Sequence, residues 1–232
     1  ILSGLVGSEM CIRDRCNACE WSITKRNMDW TQRQIELENL LSKHRKDSEE
    51  FDCIVPVSGG KDGSYVAYNL KHKYGMNPLC LTVTPALSLK LGDLNLKAFV
   101  NSGYDHISVN TNSEVMRNLN LKGLIDLGFP YYGWLIAIHT VPVRIANKFG
   151  INLIFYGEDG EVEYGGSTET SKNPIYDYAY QKKIYLENGY DEVLASIKNR
   201  NNWFYKFPND ESLNNKVDLA HWSYFENWDP YR

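Results

Sequence analysis

Strand-like and helix-like stretches alternate through the middle of this 232-residue chain, which predicts an α/β fold: a parallel sheet with helices on both faces, Rossmann-like in outline. Two observations carry that prediction. Short apolar runs recur near residues 52–57, 79–84, 106–109 and 151–156, and helical periodicity fills about 64–74, 93–102, 112–127 and 134–149 between them. The turn after the first run, Ser58-Gly59-Gly60-Lys61-Asp62-Gly63-Ser64, carries glycines where a strand would have to turn sharply into a helix.

Composition sets the outer bounds. A hydrophobic fraction of 43% can bury a core, and a charged fraction of 23% with mean hydropathy -0.45 fits a soluble globular chain. No apolar run approaches the ~20 residues a membrane helix needs, so no membrane span is expected. The net charge of -4 argues against a broad electrostatic grip on nucleic acid. Five cysteines at scattered spacings do not form a disulfide framework, which places the protein in a reducing cytoplasm.

Residues 1–15 fit nothing downstream. The stretch from Ser8 to Arg15 resembles translated sequencing-adapter read-through, so 1–15 is treated as an artefact. A segment of 16–50 follows. It opens on Cys16-Asn17-Ala18-Cys19, half of a four-cysteine zinc site, then continues as an amphipathic helix from Asp29 to about His44. Ile35, Leu37, Leu40 and Leu41 share one side of that helix, and Lys43 to Glu50 is a polar link. Cys53 and Cys80 sit in predicted core strands as buried thiols.

The segment 51–175 holds the chemistry. In the pattern after Ser64, Val66, Ala67, Leu70 and Tyr74 recur at helical spacing, and Gly75 stands where the helix should stop. A buried strand, a tight glycine turn and a helix N-terminus together make a phosphate cradle. A Walker-type loop would need glycine in place of Val55 and serine or threonine in place of Asp62; a dinucleotide fingerprint is absent as well. Asp62 has two readings. It is a helix cap, or it is a Mg²⁺ ligand that offsets its repulsion of a pyrophosphate.

In open parallel sheets ligands bind at the carboxyl ends of strands, near the switch in strand order. The fourth strand there runs into Gly157-Glu158-Asp159-Gly160-Glu161-Val162-Glu163-Tyr164-Gly165-Gly166, a loop crowded with carboxylates and glycines. It is either a solvated turn or a second wall of the site, with Glu158 and Asp159 joining Asp62 around Mg²⁺. Thr82 and Val83 end the second strand, where an adenine or ribose would lie.

Ser58 to Ser64 resembles the pyrophosphate loop of the PP-loop ATP pyrophosphatases, whose pattern is Ser-Gly-Gly-x-Asp-Ser. Gly63 replaces the last serine of that pattern, and Ser64 brings a hydroxyl one place later. The likeness extends in order through Cys16-Asn17-Ala18-Cys19, Asp29-Trp30, Asp52 to Asp62, Gly75-Met76-Asn77-Pro78-Leu79, Gly92 with Asn95, and Tyr156-Gly157-Glu158 through Tyr164-Gly165-Gly166. That series resembles the N-acetyl sugar amidotransferases of bacterial surface-polysaccharide biosynthesis, over about residues 16–232. The family carries a further CxxC upstream and more chain downstream, so this chain is read as an internal fragment of such a protein.

The resemblance implies an adenine nucleotide alpha-hydrolase-like fold and an ATP-dependent reaction. The acetamido group of an N-acetylated sugar is adenylylated with loss of pyrophosphate, and ammonia then displaces AMP to leave an acetamidino group. ATP and Mg²⁺ are the expected cofactors, with Zn²⁺ at Cys16 and Cys19 in a full-length protein. Val57, Ser58, Gly59, Gly60, Lys61, Asp62, Gly63, Ser64, Thr82, Val83 and Gly157 are expected on ATP, and Glu161, Tyr164, Gly165 and Gly166 on the sugar. Lys61, Asp62 and Glu158 are the expected catalytic groups, although Lys61 reads equally as a solvated side chain. A glutaminase subunit with a cyclase-like partner would supply the ammonia, since no cysteine here sits in a nucleophile-like turn with a histidine. His139 reads as a packing residue within its helix.

The tail, 176–232, holds two short helical patterns and then many rings, among them Trp203, Phe204, Tyr205, Phe207, Trp222, Tyr224, Phe225, Trp228 and Tyr231. These either pack onto the preceding domain or form a surface that stacks on sugar or docks a partner. Two other functions stay open on sequence grounds. One is a tRNA-thiolating PP-loop enzyme, which needs a reactive cysteine pair and a basic RNA face. The other is a non-enzymatic nucleotide-binding module, kept open by Gly63.

Overall fold

The alternation read in the sequence becomes one six-stranded sheet in the computed structural model, with strand order β3-β2-β1-β4-β6-β5. The structure describes residues 17–158, 160, 169–186, 190–197, 201–209 and 216–227. Cys16, Asp159, Glu161, Tyr164, Gly165, Gly166, Trp228 and Tyr231 lie outside these residues.

Two helices, α1 (Asn17–Arg26) and α2 (Trp30–His44), precede the sheet. Asp29 caps α2, its Oδ1 accepting the Gln32 N–H at 3.0 Å, as a short polar side chain at that position should. Leu37, Leu40 and Leu41 are buried, whereas Ile35 is 47% exposed and does not share their face. The chain then alternates as expected: β1 (Cys53–Pro56), α3 (Lys61–Tyr68), β2 (Pro78–Val83), α4 (Lys90–Asn101), β3 (His106–Val109), α5 (Ser113–Leu127), α6 (Tyr132–Phe149) and β4 (Leu153–Tyr156). Helix α3 passes into a wider π-helical turn at Asn69–Lys73 before Gly75, at φ 62°, ends it.

The residues beyond 169 do more than pack. They supply β5 (Ile175–Tyr176), α7 (Tyr178–Ile184), α8 (Tyr190–Ala195) and β6 (Asp218–His221). Strand β6 lies parallel to β4, pairing Leu153 with Asp218 and Tyr156 with His221, and β5 closes the edge antiparallel to β6. The sheet is therefore mostly parallel, and strands 1 to 4 and 6 share one direction.

Strand alternation divides the core between the two faces, because successive side chains of a strand point oppositely. Ile54, Leu79, Leu81, Val83, Ile154 and Leu219 pack with α5, α6, α7 and α8. Cys53, Val55, Cys80, Leu153, Phe155 and Ala220 pack with α2, α3 and the Trp222–Phe225 turn. Most of the aromatic tail is buried in this way. Tyr205, Trp222 and Phe225 are at most 1% exposed, and only Trp203 among the described tail rings is largely open, at 43%. That turn also holds α3 in place: the Tyr65 hydroxyl and the Trp222 indole N–H each donate to a Glu226 oxygen at 2.7 Å. On α2, the Arg33 guanidinium stacks 3.4 Å over the Tyr224 ring.

The polar link after α2 is tied to the sheet by one buried side chain. Asp52 is 4% exposed and accepts the Lys46 N–H at 2.7 Å and the Asn77 N–H at 2.6 Å. No helix among the described residues is long and apolar enough to cross a membrane.

Candidate functional site

Strand order fixes where a ligand can bind. From β1 the chain moves outward to β2 and β3, then crosses back to place β4 on the opposite side of β1. The carboxyl ends of β1 and β4 thus meet at a switch point in strand order, the place where open parallel sheets bind ligands as a rule. The loops leaving these ends are the turn Val57–Gly60 and the turn that begins at Gly157.

Glycines bring the first turn of α3 into backbone contact with the chain leaving β4. A Cβ built on Gly157 would lie 2.5 Å from the Asp62 carbonyl carbon and 2.6 Å from the Gly63 nitrogen, closer than any side chain can sit. A Cβ on Gly63 would lie 2.4 Å from the Pro56 oxygen. The first turn of α3 therefore rests directly on the backbone leaving β1 and β4. This explains the departure at 63: the close approach of β1 leaves no room there for a serine side chain. On the other side Gly59, at φ 81°, approaches α4, where a Cβ would meet the Gly92 oxygen at 2.6 Å.

Within the turn, Val57 is buried while Ser58, Gly60 and Lys61 are exposed. Gly60 is the N-cap of α3 and provides no side-chain cap, so Asp62 in the first turn is not the capping group. Its carboxylate, 39% exposed, instead receives Lys61 Nζ at 2.5 Å. The Ser64 hydroxyl donates to the Gly60 carbonyl at 2.7 Å, one helical turn back. The start of α3 adds backbone N–H groups and partial positive charge, suited to an anion.

Thr82 is buried at 6%, and its hydroxyl donates to the Val57 carbonyl at 2.6 Å. It fastens the glycine turn to β2. His106 on β3 extends the chain, with Nε2 2.8 Å from the Thr82 oxygen. The Val83 side chain lies in the core, and its carbonyl accepts the Trp134 indole N–H at 3.4 Å.

Glu158 is exposed immediately after Gly157. Mg²⁺ takes one or two carboxylates and completes its octahedron with phosphate oxygens and water. Asp62 lies in the first turn of α3, and Glu158 follows Gly157, which packs on the Asp62–Gly63 backbone. Among the described residues no three His, Cys, Asp or Glu gather as a protein-only metal cage, and Cys19 is exposed on α1. Cys53 and Cys80 are buried thiols, as read from the sequence. Burial pushes the Cys80 thiol up to about 12 and the Cys53 thiol higher, so neither is a ready thiolate.

Below the β4 turn lies a buried polar network that sequence reasoning missed. His221, the last residue of β6, points Nδ1 at the Glu158 carbonyl at 3.0 Å. The Tyr176 and Tyr185 hydroxyls each approach its Nε2 at 2.8 Å. His139 of α6 is buried as expected, but it is also hydrogen-bonded: the Gln181 amide nitrogen lies 3.1 Å from its Nδ1 and 3.0 Å from the Tyr156 hydroxyl. Burial lowers both histidines, His221 to about 4 and His139 to about 3, the charge of the neighbouring His221 adding to the effect on His139. No motif marks these residues; they are gathered from β5, β6, α6 and α7 by the fold alone.

No known protein family profile matches the chain. An uncharacterized protein of Methanocaldococcus jannaschii is 40% identical over 48 residues, which is 21% of this chain and 17% of that one. The match thus spans about a sixth of that relative's length. Among solved structures, a predicted subunit of tRNA methyltransferase from the same organism is similar with a TM-score of 0.32 and 17% identity, over 56% of this chain and 59% of that chain.

Proposed function

We propose that the chain is the ATP-binding unit of an amidotransferase that adenylylates the acetamido group of an N-acetylated sugar. The observation that carries the reading is the glycine contact between the first turn of α3 and the backbone leaving β4, which brings a helix N-terminus beside the strand end that precedes Glu158. The Ser58–Asp62 motif spans the turn after β1 and the start of α3, which supports the PP-loop likeness.

The chemistry follows from the charges. The amide oxygen attacks the α-phosphorus of ATP, the bond to the β-phosphate breaks, and pyrophosphate leaves with its added charge. Ammonia then attacks the amide carbon, the C–O bond breaks, and AMP departs carrying that oxygen, leaving an amidine. The backbone N–H groups at the start of α3 face the phosphates, and Lys61 adds a point charge once phosphate competes for it with Asp62. Asp62 and Glu158 would hold Mg²⁺, which neutralises pyrophosphate charge when bound. Ammonia would come from a glutaminase partner, and the acceptor sugar would belong to a surface polysaccharide.

A tRNA-thiolating function is less well supported, because Cys53 and Cys80 are buried and raised and the net charge of -4 does not suit an RNA-binding face. The deciding experiment incubates the protein with ATP, Mg²⁺, ammonium and acetamido sugars, and measures AMP. AMP that appears only with sugar and ammonium supports the proposal. AMP that requires tRNA instead, or no AMP under any condition, overturns it.

A further inference from the structure

We propose that His221 is a positioning residue for the Glu158 turn, acting through its Nδ1–H on the Glu158 carbonyl, with Tyr176 and Tyr185 holding the ring in that tautomer. This rests on the nucleotide reading only for what Glu158 does, and not for how the turn is held.

The tautomer follows from hydrogen-bond chemistry. A carbonyl can only accept, so at 3.0 Å from the Glu158 oxygen Nδ1 carries the proton. Nε2 is then a lone pair that accepts, and the Tyr176 and Tyr185 hydroxyls both lie 2.8 Å from it. The Tyr176 ring is stacked on the imidazole, with centroids 5.1 Å apart and planes 17° apart, so the ring is held by its face as well as by its edge. His221 also lies beside Gly160, where an added Cβ would come within 3.5 Å of its Cδ2. The imidazole is thus a template beneath both described ends of the turn, Glu158 and Gly160.

Packing alone would not select histidine here. The residue is 7% exposed at the end of a central strand, where leucine or phenylalanine would fill the space without a polar atom to satisfy. Either would remove the imidazole nitrogens that the Glu158 carbonyl and the two tyrosine hydroxyls approach. The arrangement is that of an outer group orienting a ligand-bearing turn, and losing such a group typically costs about 10–100-fold in metal affinity.

The test uses three variants of the full chain. His221→Asn keeps an N–H near the Nδ1 position, His221→Gln places its amide near Nε2 instead, and His221→Phe keeps only the ring. Two readouts are taken. Hydrogen exchange of the peptide spanning β4 and the Glu158 turn reports whether the turn is held. Binding of ATP with Mn²⁺, and with EDTA, separates metal-dependent from metal-free affinity.

The expected result is faster exchange in the Gln and Phe variants with near wild-type exchange in Asn. Metal-dependent ATP affinity is expected to fall about tenfold or more in Gln and Phe, with metal-free affinity unchanged. Unaltered exchange in Gln, or exchange in Asn as fast as in Gln, overturns the assignment even if the Phe variant does not fold. Should exchange change as expected while wild-type protein binds no ATP, the positioning role stands and the nucleotide reading is what falls.

Discussion

Acidification is the most direct probe of the buried network. In the unfolded chain a histidine titrates near 6.5, whereas burial lowers His221 to about 4 and His139 to about 3. Below pH 6.5 the unfolded chain therefore binds protons that the folded chain refuses. The stability these rings contribute is complete above about pH 6.5 and is lost as pH falls towards the folded values of about 4 and 3. Between pH 7.5 and pH 5 the linkage relation gives about 2 kcal/mol per ring. Both rings stay largely uncharged in the folded chain at pH 5, so the combined loss is about 4 kcal/mol. His44 and His106 shift the same way, both lowered chiefly by burial, His44 against the pull of Asp218. Urea unfolding at pH 7.5, 6 and 5 measures the slope. The midpoint is expected to fall steeply with acid in the native chain and more gently in a His139→Gln, His221→Asn double variant, where two of the titrating rings are gone. A flat native profile, or equal slopes in the two proteins, would refute the reasoning.

Other perturbations test the glycine contact and the polar link. Gly157→Ala would force its methyl carbon to within 2.5 Å of the Asp62 carbonyl carbon, so the two turns must separate; the expected cost is about 1–3 kcal/mol in urea unfolding, with weaker ATP binding by calorimetry. Asp52→Ala removes the acceptor of the half-buried Lys46 and Asn77 N–H groups, and a loss of about 1–2 kcal/mol is expected from the same unfolding measurement.

Much of this was legible in the residues. The four strands through 156 and the helices between them were readable because their apolar periods differ, and Gly75 marked a helix end as expected, with positive φ. The meeting of the Gly59–Gly63 turn with Gly157 could be anticipated from the rule that ligands gather where strand order reverses. Other features depended on partners distant in sequence. Strand β6 reads as Asp218-Leu219-Ala220-His221, too short and too polar at its ends to announce itself, and it becomes a strand only by pairing with β4. His221 carried no signal because its partners come from residues 158, 176 and 185. Thr82 was expected near the nucleotide, yet its hydroxyl is spent on Val57, a bond set by the register of β1 on β2. Asp62 looked like a cap because caps occupy that neighbourhood, but the helix begins one residue earlier and Gly60 fills the position.

The place of β6 has a consequence for how the protein is made. Its neighbours in the sheet are β4 and β5, both synthesised before it, so as the ribosome releases the chain the outer edge of β4 remains bare until residues 218–221 emerge. A nascent chain halted before that point would display Leu153 to Tyr156 with one rim unmatched, a template for pairing with another such chain.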